Sequence, residues 1–401
     1  MSLMHYDQAL KQLLESFTAV DQQQSVALMQ AQGRVLAQDI VAQQDSPRFD
    51  NSAMDGYAIC GVDCAQWQVV DYIAAGDSTQ HQSLSDGQAV RIFTGAAVPK
   101  GADAVLPQED VSVDEDWITA KVQVKARQHI RFRAEEYAQG AILIDQNQPI
   151  SATHIGIMAT QGFADVLCYR QVTVTVFSTG NELQQLGQPL QENQIYDSNR
   201  FMVMALAKEY PFLKVIDGGV LPDDLQAIQQ QLDQAAKTSD VILLSGGASV
   251  GDKDYTRVAL DQLGTIQHWK LAIKPGKPFG WGEINYSKVF LLPGNPVACW
   301  VTLLILVLPA LKVLSGIKQC SALPQVVQAE AQFSLDHPQS RQQFLLGQLG
   351  FDLGKCKVNI HPFQSSAMLA NCGKSNALVM VPAQQTVVSG QQVSVMYLQK
   401  I

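Results

Sequence analysis

Basic residues are in deficit. With 28 lysines and arginines against 37 aspartates and glutamates, the 401-residue chain carries a formal charge of −9. That balance argues against a protein built to follow a polyanionic nucleic acid. It leaves room for a small anionic ligand, because glycine turns and a few lysines set the field inside a pocket. Cysteine is scattered: Cys60, Cys64, Cys168, Cys299, Cys320, Cys356 and Cys372 form an odd set. Cys60 and Cys64 lack a second pair to complete a zinc site, so the thiols read as buried or incidental. A cytoplasmic, reducing location is the expectation. The start of the chain lacks a continuous apolar core, Tyr6 to Phe17 being a polar–apolar helical pattern, so no signal peptide is expected. One run resembles a membrane span, Pro296 to Leu311. It is short, contains Pro309 and meets Lys312 at once, so a helix buried in an α/β domain is expected and no membrane association. Internal repeats and long low-complexity segments are absent.

What is present centres on Asp240-Val-Ile-Leu-Leu-Ser-Gly-Gly-Ala-Ser-Val-Gly-Asp-Lys-Asp-Tyr255. Val241 to Leu244 reads as a fully buried parallel strand. Gly246, Gly247 and Gly251 follow, where glycine lets the backbone approach a ligand closely. Freed N–H groups with the hydroxyls of Ser245 and Ser249 suit a phosphate or another tetrahedral oxyanion. Asp252 and Asp254 could hold a hard divalent cation against that anion. Equally, the stretch reads as a strand-to-helix turn whose aspartates cap the next helix.

Length allows two to four domains. Met4 to Asp39 reads as helical, with Ala9, Leu13, Leu14 and Phe17 on one face, followed by Val26, Leu28 and Met29. A breaker at Ser46-Pro-Arg-Phe-Asp marks a boundary. From there to about Gly140 the pattern is short strands, including Val69 to Ile73 and Ala89 to Phe93. An Arg127, Arg131, Arg133 patch reads as a solvated edge. A helical pattern from Pro149 to Gly162 leads into alternating strands and helices at the spacing of a doubly wound, mostly parallel sheet. After Ser321-Ala-Leu-Pro324, short alternating strands predict a small β-barrel-like terminal domain. The expected domains are therefore 1–45 with 141–170 (helical and extended linker), 46–140 (inserted, β-rich), 171–320 (α/β) and 321–401 (C-terminal β).

In a doubly wound sheet, ligands sit beyond the carboxyl ends of the strands. Four small-residue turns meet that rule: Ser178-Thr-Gly180, Ser245-Gly-Gly-Ala-Ser249, Lys274-Pro-Gly-Lys277 and Pro293-Gly-Asn-Pro296. Any one is explained as a structural turn. Four together, two with hydroxyls and one with paired lysines, point to a phosphate-bearing ligand.

These turns, together with Ser52-Ala-Met-Asp-Gly-Tyr-Ala58 and Arg91-Ile-Phe-Thr-Gly-Ala-Ala-Val-Pro99, occur in an order that resembles the bacterial MoeA family of molybdopterin molybdenumtransferases. That family is related to the C-terminal part of gephyrin, and the resemblance runs from about Tyr6 to the C-terminus. It implies an α/β domain of molybdopterin-binding type. It also implies insertion of molybdate into adenylylated molybdopterin, with Mg2+-dependent hydrolysis and release of AMP, by an elongated homodimer. Molybdopterin adenylyltransferase and apo-molybdoenzymes or their chaperones are the implied partners. By the same resemblance, the phosphate and pterin end would lie on Ser245, Gly246, Gly247, Ser249 and Gly251, with Ser178, Thr179 and Gly180 nearby. Asp223 and Asp254 would bind the metal or its water shell. Lys274 and Lys277 would direct charge toward phosphate or molybdate, with Pro275, Gly276, Pro293, Asn295 and Pro296 around them. Arg341 and Ser366 would help hold molybdate. Asp55 and Thr94 would reach across the dimer, and Glu182 would serve as base or metal-shell carboxylate.

The chain departs from the family pattern at Asn181, where aspartate is usual, at Ala134-Glu-Glu136, at Ala298 and at Ala367. Two alternatives stay open: an enzyme that adenylylates molybdopterin, and a gephyrin-like scaffold without chemistry.

Overall fold

A computed structural model describes residues 3–77, 83–246, 255–352 and 354–398. The chain forms two compact units. The first comprises Met1–Gln38, Gln146–Ile155 and Ala164–Ile401, and the second Asp39–Asp145 with Gly156–Phe163.

The first unit contains a six-stranded sheet in the order Leu213–Leu221, Val172–Thr179, Val241–Ser245, Ser287–Leu292, Pro278–Ile284, Thr265–Lys270. The first four strands are parallel, and the last two are joined antiparallel. Every residue of Val241–Ser245 is buried, as a strand covered on both faces must be. Its side chains alternate between two cores. Val241 and Leu243 pack with the Pro296–Leu314 helical segment, and Ile242 and Leu244 pack with helices Leu225–Thr238 and Tyr255–Leu263. That period of two is the direct consequence of a pleated strand between two helical layers.

The membrane-like run is the helical segment Pro296–Leu314, long and apolar enough to cross a bilayer by length and composition, yet 83% of its most apolar window is buried inside the fold. Pro309 cannot donate to the carbonyl of Ile305, and the helix widens to a π-turn over Leu303–Val307 just before it. The Tyr6 hydroxyl comes within 3.5 Å of that Ile305 carbonyl and donates to it.

The helical expectation for Met4 to Asp39 is corrected beyond the first helix, Tyr6–Glu15. Val26 lies in a strand, Gln23–Ala27, paired antiparallel with Asp165–Tyr169. Met29 belongs to a single 3₁₀ turn and is 83% exposed. A strand partner some 140 positions away decided the conformation, and helical spacing of three apolar residues could not outweigh it.

The C-terminal strands close on themselves. Gln342–Asp352 pairs with Lys355–Ile360 on one side and Ala377–Val381 on the other, with Val326–Ala331 and Gln392–Tyr397 completing a five-stranded barrel. Alternate residues Leu345, Val358, Val379 and Val395 fill its interior.

In the second unit, six strands run in the order Ala104–Pro107, Gly56–Ile59, Gln88–Ile92, Trp67–Ile73, Trp117–Ala120, Val111–Asp114. Trp67 and Ile118 anchor one of its cores at 0–1% exposure. From the arginine patch, Arg127 lies over the Phe132 ring at 4.1 Å and Arg133 pairs with Asp45.

Candidate active site

The register of the parallel strands aligns their carboxyl ends. Ser178 stands opposite Ser245, and Ser245 opposite Leu292, so the turns that follow emerge side by side. The Lys274–Lys277 turn reaches the same rim by another route. Strand Thr265–Lys270 ends beside Pro278, and the connecting segment crosses the rim between them.

Within that segment Ile273–Lys274 pairs in parallel with Gln342–Gln343 of the barrel. Arg341 donates from Nη1 to the Ile273 carbonyl at 3.0 Å, which holds Arg341 next to Lys274. The amide of Val297 donates to the Ser366 carbonyl at 2.9 Å and brings the 364–367 loop over the same rim.

A cleft of about 1370 Å³ results, and it is lined by Ser178, Thr179, Gly180, Glu182, Asp223, Ser245, Gly246, Lys274, Pro275, Gly276, Lys277, Pro293, Asn295, Pro296, Arg341 and Ser366. All of the expected site residues that are described in this unit therefore meet in one place. Gly247, Ser249, Gly251, Asp252 and Asp254 lie outside the described residues. Asp55 and Thr94 belong to the second unit.

Two glycines show why the turns need that residue. Gly246 has φ +96°, and a Cβ there would sit 2.7 Å from the Thr179 carbonyl oxygen. Gly276 has φ +106°, and its Cβ would meet Thr302 Cγ2 at 2.6 Å.

Charge in the cleft is unevenly placed. Lys274 and Lys277 are exposed, and neither forms an ion pair among the described residues. Glu182 and Asp223 are the acidic counterparts. Asn181 donates from Nδ2 to Asp223 Oδ2 at 2.8 Å, so the departure at Asn181 places an amide where a second carboxylate would crowd the first. Among the described residues no three His, Cys, Asp or Glu side chains cluster tightly enough to hold a metal unaided. Ala298 also lines the cleft, as does Ala367 beside Ser366.

Ser178 was expected as a hydroxyl near the phosphate. Its proton is donated to Asp197 Oδ2 at 2.6 Å, with both residues buried. Asp197 also accepts from the Arg200 amide at 3.1 Å and from Arg200 Nε at 2.9 Å. Burial works against the Arg200 charge, but Asp217 and Asp197 outweigh it and raise its pKa. Asn199 follows, donating from Nδ2 to the Gly294 carbonyl at 2.8 Å. Asp197 and Asn199, which sequence alone would read as capping the helix Asn199–Lys208, are both cleft residues outside the expected set. The i,i+3 spacing of Asp197 and Arg200 was the one available hint. Beneath Ser245, burial pushes the Cys299 thiol up to about 12, and it is inert packing.

In the second unit, antiparallel pairing of Gly56 with Ile92 brings Asp55 to the turn after the neighbouring strand. Asp55 Oδ1 accepts from the Thr94 amide at 2.7 Å and from the Thr94 hydroxyl at 2.8 Å. Those two bonds, with Arg91 nearby, hold the carboxyl below its ordinary value. Arg91 lies over the rings of Tyr57 and Phe93 at 4.9 and 5.2 Å. Glu136, another departure, accepts from the Ser46 hydroxyl at 2.7 Å.

Comparison with known proteins gives three family matches along the chain. Residues 4–162 match the MoeA N-terminal region (domain I and II), 175–313 a probable molybdopterin binding domain, and 328–398 the MoeA C-terminal region (domain IV). The molybdopterin molybdenumtransferase of Haemophilus influenzae is 37% identical over 402 residues, covering 98% of both chains. That of a Nostoc species is 34% identical, covering 93% of this chain and 88% of its own. Among solved structures, the molybdopterin biosynthesis moeA protein of Pyrococcus horikoshii superposes with a TM-score of 0.85 at 28% identity, over 99% of this chain and all of that one.

Proposed function

This chain belongs to the MoeA family of molybdopterin molybdenumtransferases, enzymes of molybdenum cofactor biosynthesis, and from that premise we propose that it inserts molybdate into adenylylated molybdopterin while water cleaves the pyrophosphate link and AMP leaves. The observation that carries this reading is the convergence of four turns on one cleft that holds two exposed lysines and an arginine. Molybdate is a tetrahedral dianion and the pyrophosphate is anionic, so both substrates present oxyanions to the same cations. Lys274, Lys277 and Arg341 neutralise that charge, and the arginine adds planar, directional donors that a lysine lacks. The backbone of Gly246 and the hydroxyl of Ser366 supply further contacts.

Magnesium fits the donor set, since it is commonly held by one or two carboxylates plus substrate phosphates and keeps several waters. Glu182 and Asp223 would be its protein contacts, with Asp254, which follows the Gly246 turn in the sequence, as a further carboxylate. Bound there, the ion would offset pyrophosphate charge. A homodimer, in which Asp55 and Thr94 of one subunit complete the cleft of the other, belongs to the same proposal. So do the four-domain division, a cytoplasmic location, and exchange with a molybdopterin adenylyltransferase upstream and apo-molybdoenzymes or their chaperones downstream.

The test mixes the purified protein with adenylylated molybdopterin, molybdate and magnesium, following AMP release together with molybdenum incorporation. Both should occur, and K274A and K277A should each lose ~10- to 100-fold in molybdate saturation, the scale of one fixed charge near an oxyanion. The lysines are exposed, so folding should be intact. Absence of AMP release by the wild type would overturn the reading. AMP transfer onto molybdopterin from Mg-ATP would replace it with the adenylyltransferase alternative.

A further inference from the structure

We infer that Gln364 is a positioning residue for oxyanion binding: its side-chain amide ties the 364–367 loop to the barrel strand that follows Arg341, and so fixes where Ser366 stands in the cleft. The inference rests on the molybdenumtransferase reading and adds to it a residue outside the motifs that carry that reading.

A gap in the barrel ladder is what orders the loop. Strand Lys355–Ile360 pairs with Gln342–Asp352 as far as Ile360 opposite Gly347, and the His361 amide adds one more bond, 3.0 Å to the Leu346 carbonyl. Pro362 follows, and the chain leaves the ladder. The amide of Leu346, a residue 1% exposed, would then lack a strand partner, and a buried N–H in that state is costly. Gln364 fills the gap. Its Oε1 accepts from the Leu346 amide at 2.9 Å, and its Nε2 donates to the Leu346 and His361 carbonyls, each at 2.9 Å. An amide can only donate and the two carbonyls can only accept, so the orientation of the side chain is fixed. It takes the place of the peptide that the departing strand no longer supplies.

The loop is tied a second time where the Val297 amide meets the Ser366 carbonyl at 2.9 Å. Ser365 and Ser366 therefore sit on a short strap, held to the barrel at Gln364 and to the helix Pro296–Thr302 at Ser366, and both line the cleft. The strand that Gln364 grips also pairs Gln342 with Ile273 and Gln343 with Lys274, directly after Arg341. One strand thus sets Lys274, Arg341 and the strap relative to one another. Gln364 lines the cleft too, but contact with an oxyanion is not its role. Both Nε2 hydrogens are spent on carbonyls, and the lone pair left on Oε1 repels an anion that is itself an acceptor. Its influence passes through Ser366.

The test compares wild type with Q364M, which keeps the reach of the side chain and loses all three bonds, using adenylylated molybdopterin, molybdate and magnesium. The KM for molybdate should rise about tenfold, within the scale of a small misplacement of a binding group. The KM for adenylylated molybdopterin should stay within about twofold. S366A should raise the molybdate KM by itself, and in the double variant the two effects should fall short of multiplying, because Gln364 acts through Ser366. Thermal denaturation follows folding, and if Q364M does not fold, Q364N, shorter by one methylene, gives the same comparison. A molybdate KM unchanged in the folded variant overturns the inference. So do two KM values that rise together, the mark of a loosened barrel, and so do effects that multiply in full or an S366A without effect. Wild type that releases no AMP overturns the reaction reading alone, and calorimetry with molybdate as the only ligand then decides the inference. Binding about tenfold weaker in Q364M supports it, whereas equal binding, or none by wild type, overturns it.

Discussion

Asn181 spans 2.8 Å to Asp223, its amide nitrogen donating to a carboxylate oxygen at the mouth of the cleft. In N181D that bond becomes a contact between two carboxylates, which repel each other until a cation separates them. The second charge should draw a divalent ion more strongly. Magnesium titration of AMP release by N181D should therefore half-saturate at a concentration about threefold lower than wild type. An unchanged or higher requirement would mean that Asp223 does not contact the metal or its water shell.

Gly246 and Gly180 both hold positive φ, at +96° and +143°, but their surroundings differ. A Cβ on Gly246 meets the backbone carbonyl of Thr179 at 2.7 Å, while one on Gly180 meets the Glu182 carboxylate oxygens at 2.6 to 2.7 Å. Backbone of a central strand cannot withdraw, whereas an exposed glutamate can swing away. G246A should cost about 1–3 kcal/mol of stability in chemical denaturation, and G180A clearly less. In G180A the displaced Glu182 should instead lower turnover. Equal losses of stability in the two variants would contradict this account of the rim.

Most of the α/β architecture and the C-terminal barrel were legible because buried strands announce themselves by short β-branched runs and glycine turns. Convergence of the four turns was legible for the same reason, since strand ends in a parallel sheet share a rim. What escaped had non-local causes. Val26 reads as one face of a helix until residues 165–169 supply a strand partner. The Asp197 and Asn199 side chains look like helix caps until Ser178 and Gly294 are brought against them by the sheet. The short strand Ile273–Lys274 exists only because Gln342–Gln343 lies alongside, and that pairing positions Arg341. Asp252 and Asp254 lie outside the described residues.

Two carboxylates of the second unit set its behaviour in acid. Asp45 is held below its ordinary value of 3.8 by the Gln139 amide and by Arg133, and Asp55 by the Thr94 amide and hydroxyl. A carboxyl with a lowered folded pKa contributes stability that is fully present above the unfolded value and is lost as pH falls through the folded one. The contribution should therefore be constant from neutrality down to pH 3.8 and vanish progressively below it. Hydrogen exchange of peptides from strands Gly56–Ile59 and Gln88–Ile92, which Asp55 and Thr94 join at one end, reads the effect locally. Wild-type protection of these strands should decline as pH drops below 3.8, after correction for the intrinsic exchange rate. D55N removes the titrating group while leaving an oxygen to accept from Thr94. It should start with lower protection at pH 7 and show a flatter decline in acid, and D45N should do the same for peptides near Gln139. A D55N profile parallel to wild type through the acid range would mean that the Asp55–Thr94 bonds contribute nothing to the folded state, and that this pair is free to serve chemistry alone.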